Sequence, residues 1–173
     1  MKEIRLNVDL KVLARDERDQ LESLLLTYFK EIDTSKIKHV EGIKILDYPY
    51  LDSYWEEEGR AAYGVYIGES LNGFALVNSW RLVETFDAKR SIAEFYIRPD
   101  YRGKGYGRYI AQELFDKYPS RWEVRQNYNN RVATMFWRSV IDEYTDGRYK
   151  EVKVTNREEI QIIQLFDSSL IER

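Results

Sequence analysis

The run Arg102-Gly103-Lys104-Gly105-Tyr106-Gly107 can do the most legible chemistry in this chain. It follows an apolar stretch, Ser91-Ile92-Ala93-Glu94-Phe95-Tyr96-Ile97, which Pro99 ends. It precedes Tyr106, Tyr109, Ile110, Leu114 and Phe115, which recur at helical spacing until Pro119. A glycine-rich turn from strand to helix leaves backbone N–H groups free where the helix dipole also favours negative charge. Glycine lets that backbone approach an anion, and Arg102 and Lys104 add positive charge beside it. These residues predict a phosphate-binding turn. A P-loop is excluded, because no Gly-Lys-Ser/Thr ending with the required spacing is present. A dinucleotide fingerprint fails too, since Arg108 stands where its third glycine belongs.

Two further groups could act beside that turn. Glu94 is a carboxylate in an otherwise apolar strand. Burial would raise its pKa and fit it to accept a proton, while pairing with an arginine would make it a structural ion. The sequence leaves both readings open. Asn130-Arg131-Val132-Ala133-Thr134-Met135-Phe136-Trp137-Arg138 opens a second amphipathic helix, and Asn130 suits its N-cap.

The segment Glu94–Gly107, with Arg-x-x-Gly-x-Gly at 102–107, resembles the fourth strand and pyrophosphate loop of the Gcn5-related N-acetyltransferase (GNAT) superfamily. Asn130, Ala133 and Phe136 match that superfamily's Asn-x-x-Ala-x-x-apolar pattern. The detailed resemblance spans Ser91 to about Tyr144, and within the superfamily the chain resembles a bacterial group of predicted acetyltransferases. It implies acetyl-CoA as co-substrate, lying where the fourth and fifth strands splay, and no metal. Its pantetheine would pair with backbone near Tyr96, Ile97 and Arg98. Its pyrophosphate would rest on Arg102, Gly103, Lys104, Gly105, Tyr106 and Gly107, with Arg108 beside them. Asn130 and Trp137 would face it from the next helix, and Glu94 would deprotonate an amine that attacks the thioester.

One departure matters. Trp137 stands where many members carry the tyrosine that protonates the departing thiolate, and an indole N–H is no general acid near neutral pH. Tyr128, Tyr144, Tyr149 or water could take that part. A non-catalytic acyl-CoA sensor and an interaction module stand as alternatives.

Trp55-Glu56-Glu57-Glu58 offers an aromatic beside three carboxylates, which predicts a cationic amine acceptor, small molecule or peptide, unless the run is a solvated helix face. Tyr48, Tyr50, Tyr54, Tyr63 and Tyr66 read as a mixture of core and pocket wall. The balance of 27 basic and 30 acidic residues argues against a nucleic-acid partner. The chain has no cysteine, which excludes disulfides and thiolate chemistry, and its single histidine, His39, argues against a histidine metal site. No apolar run has transmembrane length, so neither a membrane nor a secretory route is expected, and the cytoplasm is the default. A homodimer is compatible with the resemblance.

The elements that must position these groups follow from periodicity. Ile4, Leu6, Val8 and Leu10 alternate as a half-buried strand. Asp16 is placed to cap a helix carrying Leu21, Leu24, Leu25, Tyr28, Phe29 and Ile32 on one stripe. The stretch 33–59 is irregular, with a short helix around Asp52–Glu58. Strands over 62–68 and 73–78 flank a turn at 69–72, strand 121–126 follows the motif helix, and strands 149–154 and 160–166 close the chain. At 173 residues this suits one domain, 1–173. The fold class expected is α/β of the mixed α+β kind, GNAT-like. Its sheet would be mostly antiparallel, of six to seven strands, flanked by about four helices.

Overall fold

Val8–Val12 forms β1, as its alternation predicts, in a computed structural model that describes residues 7–172. Ile4 and Leu6 lie outside the described residues. The chain then makes a tight turn over Arg15–Glu17 before α1, Arg18–Ile32. Asp16 belongs to that turn and does not cap α1. Glu17 takes the corner, its carboxylate accepting from the Ala14 N–H at 2.8 Å. Leu21, Leu24, Leu25 and Phe29 bury the expected stripe, while Ile32, at the helix end, stays exposed.

The irregular stretch holds more order than its composition suggests. Ile37–Val40 (β2) and Ile43–Leu46 (β3) form a separate antiparallel hairpin. Its turn is Glu41-Gly42, both at positive φ, the two-residue geometry that suits hairpin twist. Ser53–Glu56 is the short helix α2. The next hairpin joins β4 (Ala61–Ile67) and β5 (Ser70–Asn78) through Gly68 and Glu69 alone, a tighter turn than the one expected at 69–72. There follow β6 (Arg90–Ile97), α3 (Tyr106–Lys117), β7 (Arg121–Asn127), α4 (Arg131–Thr145), β8 (Lys150–Asn156) and β9 (Glu159–Asp167).

Seven strands make one sheet in the order β1-β4-β5-β6-β7-β9-β8, antiparallel throughout except where β6 meets β7. Those two are the fourth and fifth strands of the expected sheet. They pair in parallel only over Arg90↔Trp122, Ser91↔Glu123 and Ile92↔Val124. Beyond that point each continues without the other, so the sheet opens into a cleft toward both strands' C-terminal ends.

Each face of the sheet is covered by its own apolar layer. Ile92, Ile97, Ile110, Leu114, Phe115, Trp122, Trp137 and Ile141 bury together under α3 and α4. Leu21, Leu25, Phe29, Tyr54, Phe74, Leu76 and Tyr96 do so under α1 and α2. Gly73 permits the tight approach of β5 to β6, since a Cβ there would stand 2.3 Å from the Tyr96 carbonyl oxygen. The result is the mixed, mostly antiparallel sheet and four helices that the sequence predicts, with the β2–β3 hairpin added.

Candidate active site

The position of Glu94 depends on an irregularity in β6. The β5–β6 register steps from Leu76↔Glu94 to Val77↔Ile92, so Ala93 is a bulge residue. In a regular strand Ile92 and Glu94 would share a face. With the bulge, Ile92 and Phe95 face α3 and α4, while Ala93, Glu94 and Tyr96 face α1. The extra residue turns the carboxylate away from the apolar layer and into a cluster of tyrosines.

There the Tyr28 hydroxyl donates to Glu94 Oε2 at 2.8 Å, and the Tyr48 hydroxyl, 3.4 Å from that of Tyr54, also favours the charged carboxylate. Burial pushes the Glu94 pKa up to about 7, against the opposing pull of those two hydroxyls and the more distant charges of Lys36 and Arg125. Burial and the Glu94 charge together hold Tyr28 and Tyr48 well above the usual phenol range. Glu94 makes no ion pair among the described residues. Of the two readings left open by the sequence, the arginine pair is not the one found.

On the cleft side, Arg98 N–H donates to the Asn72 carbonyl at 2.9 Å and so is turned toward β5. Strand alternation then gives Tyr96 the same direction and turns the backbone of Phe95 and Ile97 toward the cleft. Of the expected Tyr96, Ile97 and Arg98, only Ile97 turns its backbone to the cleft, and Phe95, which was not expected there, does so beside it. The Ile97 carbonyl accepts from Arg102 Nε at 2.8 Å.

The glycine-rich turn has the backbone its sequence requires. Gly103 and Gly105 stand at φ +71 and +85, and Gly105 caps α3 in the left-handed region. The first bond into the helix runs from Tyr109 N–H to Gly105 C=O at 3.1 Å. The amides of residues 103–108, ahead of it, have no backbone partner among the described residues. Gly107 lets α3 lie on the Phe136 ring, 3.2 Å from where a Cβ would be. The basic side chains are less free than the sequence implies. Arg102 pairs with Glu31 of α1 at 2.9 Å and lies over the Tyr96 ring, Lys104 donates to the Asp100 carbonyl, and Arg108 bonds Ser139 and pairs with Glu143 of α4. What the turn presents is chiefly its backbone.

Asn130 caps α4, its Oδ1 accepting from Ala133 N–H at 3.1 Å. Trp137 is 5% exposed and packs edge-on against Phe95 and Phe136, with Phe115 behind, so it belongs to the core at the cleft floor. Of the alternative hydroxyls, Tyr144 donates to Asp116 at 2.7 Å between α4 and α3, and Tyr149 packs against the core. Tyr128 is exposed near the start of α4 beneath Lys153.

On the Glu94 side a cavity of about 450 Å³ opens between Tyr48, Tyr54, Trp80, Asn78, Arg60 and Arg157. Tyr50 also lines it, whereas Tyr63 and Tyr66 do not. The acidic run does not reach it. Trp55 donates its indole N–H to the Leu13 carbonyl, Glu56 pairs with Arg15, Glu57 turns to Arg60, and Glu58 is exposed. The carboxylates expected to attract a cation are surface ion pairs or solvated.

Glu123, which supports the cavity wall without lining it, is a residue that sequence reasoning missed. It is fully buried and pairs with Arg125 at 3.1 Å. Its two oxygens accept the N–H groups of Leu82 (2.8 Å) and Val83 (3.1 Å). Arg125 in turn lies 4.1 Å over the Trp80 ring. This pair fixes the loop after β5 that carries Trp80 into the cavity. Its only sequence signal was the i, i+2 spacing of Glu123 and Arg125, which puts both on one strand face. Among the described residues no cluster is arranged to hold a metal, and no helix is long and apolar enough to cross a membrane.

A family model described as acetyltransferase (GNAT) family matches residues 19–145. No curated protein matches the chain. Solved structures share its fold at low identity. An acetyltransferase from Thermus thermophilus superposes with TM-score 0.65 at 16% identity, covering 93% of this chain and 98% of that one. A spermidine N-acetyltransferase from Vibrio cholerae, in complex with CoA and spermine, gives 0.64 at 12%, with 94% and 96% covered. The ribosomal-protein-S18-alanine N-acetyltransferase from Escherichia coli gives 0.59 at 12%, with 96% and 97% covered. At such identities the likeness extends to the fold alone.

Proposed function

Because the chain belongs to the acetyltransferase (GNAT) family, we propose that it moves an acetyl group from acetyl-CoA to a primary amine, with Glu94 as the base. The observation that most supports this is the pairing of two features across one cleft. A turn of unbonded backbone amides lies at its mouth, and a carboxylate with pKa near 7 lies behind it on the opposite sheet face.

The turn fits the group it would hold. Positive φ at Gly103 and Gly105 aligns successive N–H groups outward, and such a nest at a helix start binds a pyrophosphate without side-chain charge. Arg102 would add charge by leaving Glu31. Phe95 and Ile97 would offer backbone to the pantetheine amides. Acetyl-CoA supplies the acetyl group as a thioester, from which it passes to the amine nitrogen as the thiol is released.

The chain's own part is proton handling and exclusion of water. An amine is mostly protonated near neutral pH and must lose a proton before it can attack. Glu94 accepts that proton at Oε1 or Oε2, directly or through a water, and is half ionised close to pH 7. Tyr28 holds the carboxylate in place, and both Tyr28 and Tyr48 favour its charged form. Trp137 fills the floor and donates no proton, so the thiolate takes its proton from solvent or from the exposed Tyr128.

Thermal denaturation with acetyl-CoA, followed by a primary-amine screen read by thiol release, tests the proposal. Stabilisation with turnover supports it, whereas no stabilisation removes it. The packing of Trp137 at the usual tyrosine position favours one second reading, a sensor that binds acyl-CoA without turnover. Stabilisation with no acetylated amine would select it.

A further inference from the structure

We infer that the acceptor is an alkylamine bearing an aromatic ring and an anionic group, a carboxylate or a phosphate. Its amine would be directed at Glu94 and its anion at Arg60 and Arg157. This rests on the acetyltransferase reading and specifies the acceptor side of the same site.

Three observations carry it. First, the cavity walls are aromatic, with Tyr48, Tyr54 and Trp80 surrounding about 450 Å³, room for a ring and its substituents. Second, both charged groups lining it are cations. Arg60 spends only its Nε, on Glu57 at 2.7 Å, while its guanidinium stacks over Tyr50 and Tyr54. Its two terminal nitrogens have no hydrogen-bond partner among the described residues. Arg157 forms no ion pair among the described residues. It sits at φ +47 in the two-residue turn between β8 and β9, which brings it to the rim. Third, one carboxylate lies behind the wall. Tyr48 lines the cavity and packs in the same layer as Tyr28, which bonds Glu94, so the negative end of the site is inner and the positive end outer. An arginine fork recognises a planar carboxylate or a phosphate, and a lone inner carboxylate attracts one ammonium.

A buried hydroxyl adds to the polar lining. Ser91 is fully buried, and its Oγ has no partner among the described residues. It pairs in register with Asn78 of the cavity wall, and paired residues project from the same sheet face. A donor or acceptor on the acceptor molecule, or a bridging water, would satisfy it. A polyamine such as spermidine would meet two arginines at the rim, where the neighbouring carboxylate, Glu57, is already paired with Arg60.

The test is a matched set of acceptors with acetyl-CoA: L-phenylalanine, tyramine O-phosphate, phenethylamine and spermidine. The first two carry the anion in its two forms, and the last two lack it. The expected result is a kcat/KM at least tenfold higher for one anionic amine than for phenethylamine. Which one it is distinguishes carboxylate from phosphate. Combining Arg60→Gln with Arg157→Asn should reduce that ratio by roughly ten- to a hundredfold, the usual worth of hydrogen bonds to a charged group. Asparagine tolerates the left-handed turn, so the hairpin is kept. The variant should bind acetyl-CoA as the wild type does, which separates failure of the acceptor assignment from failure of the transferase reading. A preference for phenethylamine or spermidine, or a ratio unchanged in the variant, overturns the inference. Should none be acetylated, calorimetry of N-acetyl-L-phenylalanine, O-phospho-N-acetyltyramine and N-acetylphenethylamine into the CoA-loaded protein decides. Arginine-dependent binding of either anionic product sustains the inference, and equal or absent binding of all three ends it.

Discussion

The Tyr28 phenol reaches across from α1 to donate a 2.8 Å hydrogen bond to Glu94, whose strand it packs against. This contact sets how readily the carboxylate ionises. Burial alone would hold Glu94 protonated further into the alkaline range, and the phenol pulls its pKa back toward 7.

Removing that donor should shift the pH profile upward. In Tyr28→Phe, burial acts with less opposition, so the apparent pKa on the acidic limb of kcat/KM rises. At pH 7 the variant is slower, and at pH 9 it approaches wild type. A limb that stays in place or moves down would detach Tyr28 from the ionisation of Glu94.

Stability should carry the same signature. Folded Glu94 keeps its proton to about pH 7, whereas the unfolded group loses it near the ordinary value of 4.5. The unfolded chain therefore binds fewer protons between those values, and stability from this group, complete below about pH 4.5, is lost as pH rises to 7. Glu94→Gln carries no such charge. Relative to wild type, it should gain roughly 1–3 kcal/mol between pH 4.5 and 8, measured by denaturant unfolding at several pH values. A difference that does not vary with pH would contradict the assigned pKa.

The glycine turn predicts a binding phenotype. At 100 times its dissociation constant a ligand stabilises the folded state by about 2.7 kcal/mol, which a melt resolves. Gly105→Val should abolish that shift, since valine is strained at φ +85 and obstructs the helix start. An undiminished shift would sink the loop as the pyrophosphate site.

Trp137→Tyr restores the residue common in the family, yet it should not restore an acid. The indole is 5% exposed and packed on Phe95, Phe115 and Phe136. A smaller ring leaves a void, so about 1–3 kcal/mol of stability should be lost with no gain in kcat. A faster enzyme of unchanged stability would show that the cleft has room for a phenol beside the thiolate.

The helices, the main sheet and the phosphate turn were legible because each rests on local signals. Periodicity marks the strands and helices, and glycine marks the residues at positive φ. The β2–β3 hairpin was not legible, because Glu41-Gly42 is a weak turn signal and Ile43 and Ile45 of β3 remain exposed, so no buried face imposes alternation. Glu94 stood out as a carboxylate in an apolar strand, but the Ala93 bulge that aims it leaves no mark in single-strand periodicity. Tyr28 read as one more member of the α1 stripe. The acidic run at Glu56–Glu58 misled because composition does not reveal pairing, and Arg15 and Arg60 claim two of its members. Arg60 and Arg157 lie far apart in sequence and line one cavity only because the β8–β9 turn carries Arg157 to it.

The central claim is that Glu94 takes the proton from the acceptor amine. It is tested most directly by the pH dependence of kcat/KM for Glu94→Gln beside wild type, with acetyl-CoA affinity measured on both and the best amine of the acceptor set as substrate. Wild-type activity should rise with an apparent pKa near 7. The variant should fall by roughly a hundred- to ten-thousandfold, with activity climbing only as free amine forms at higher pH and with acetyl-CoA binding intact. Unchanged turnover and an unchanged profile in Glu94→Gln would remove Glu94 from the reaction and leave the proton to solvent.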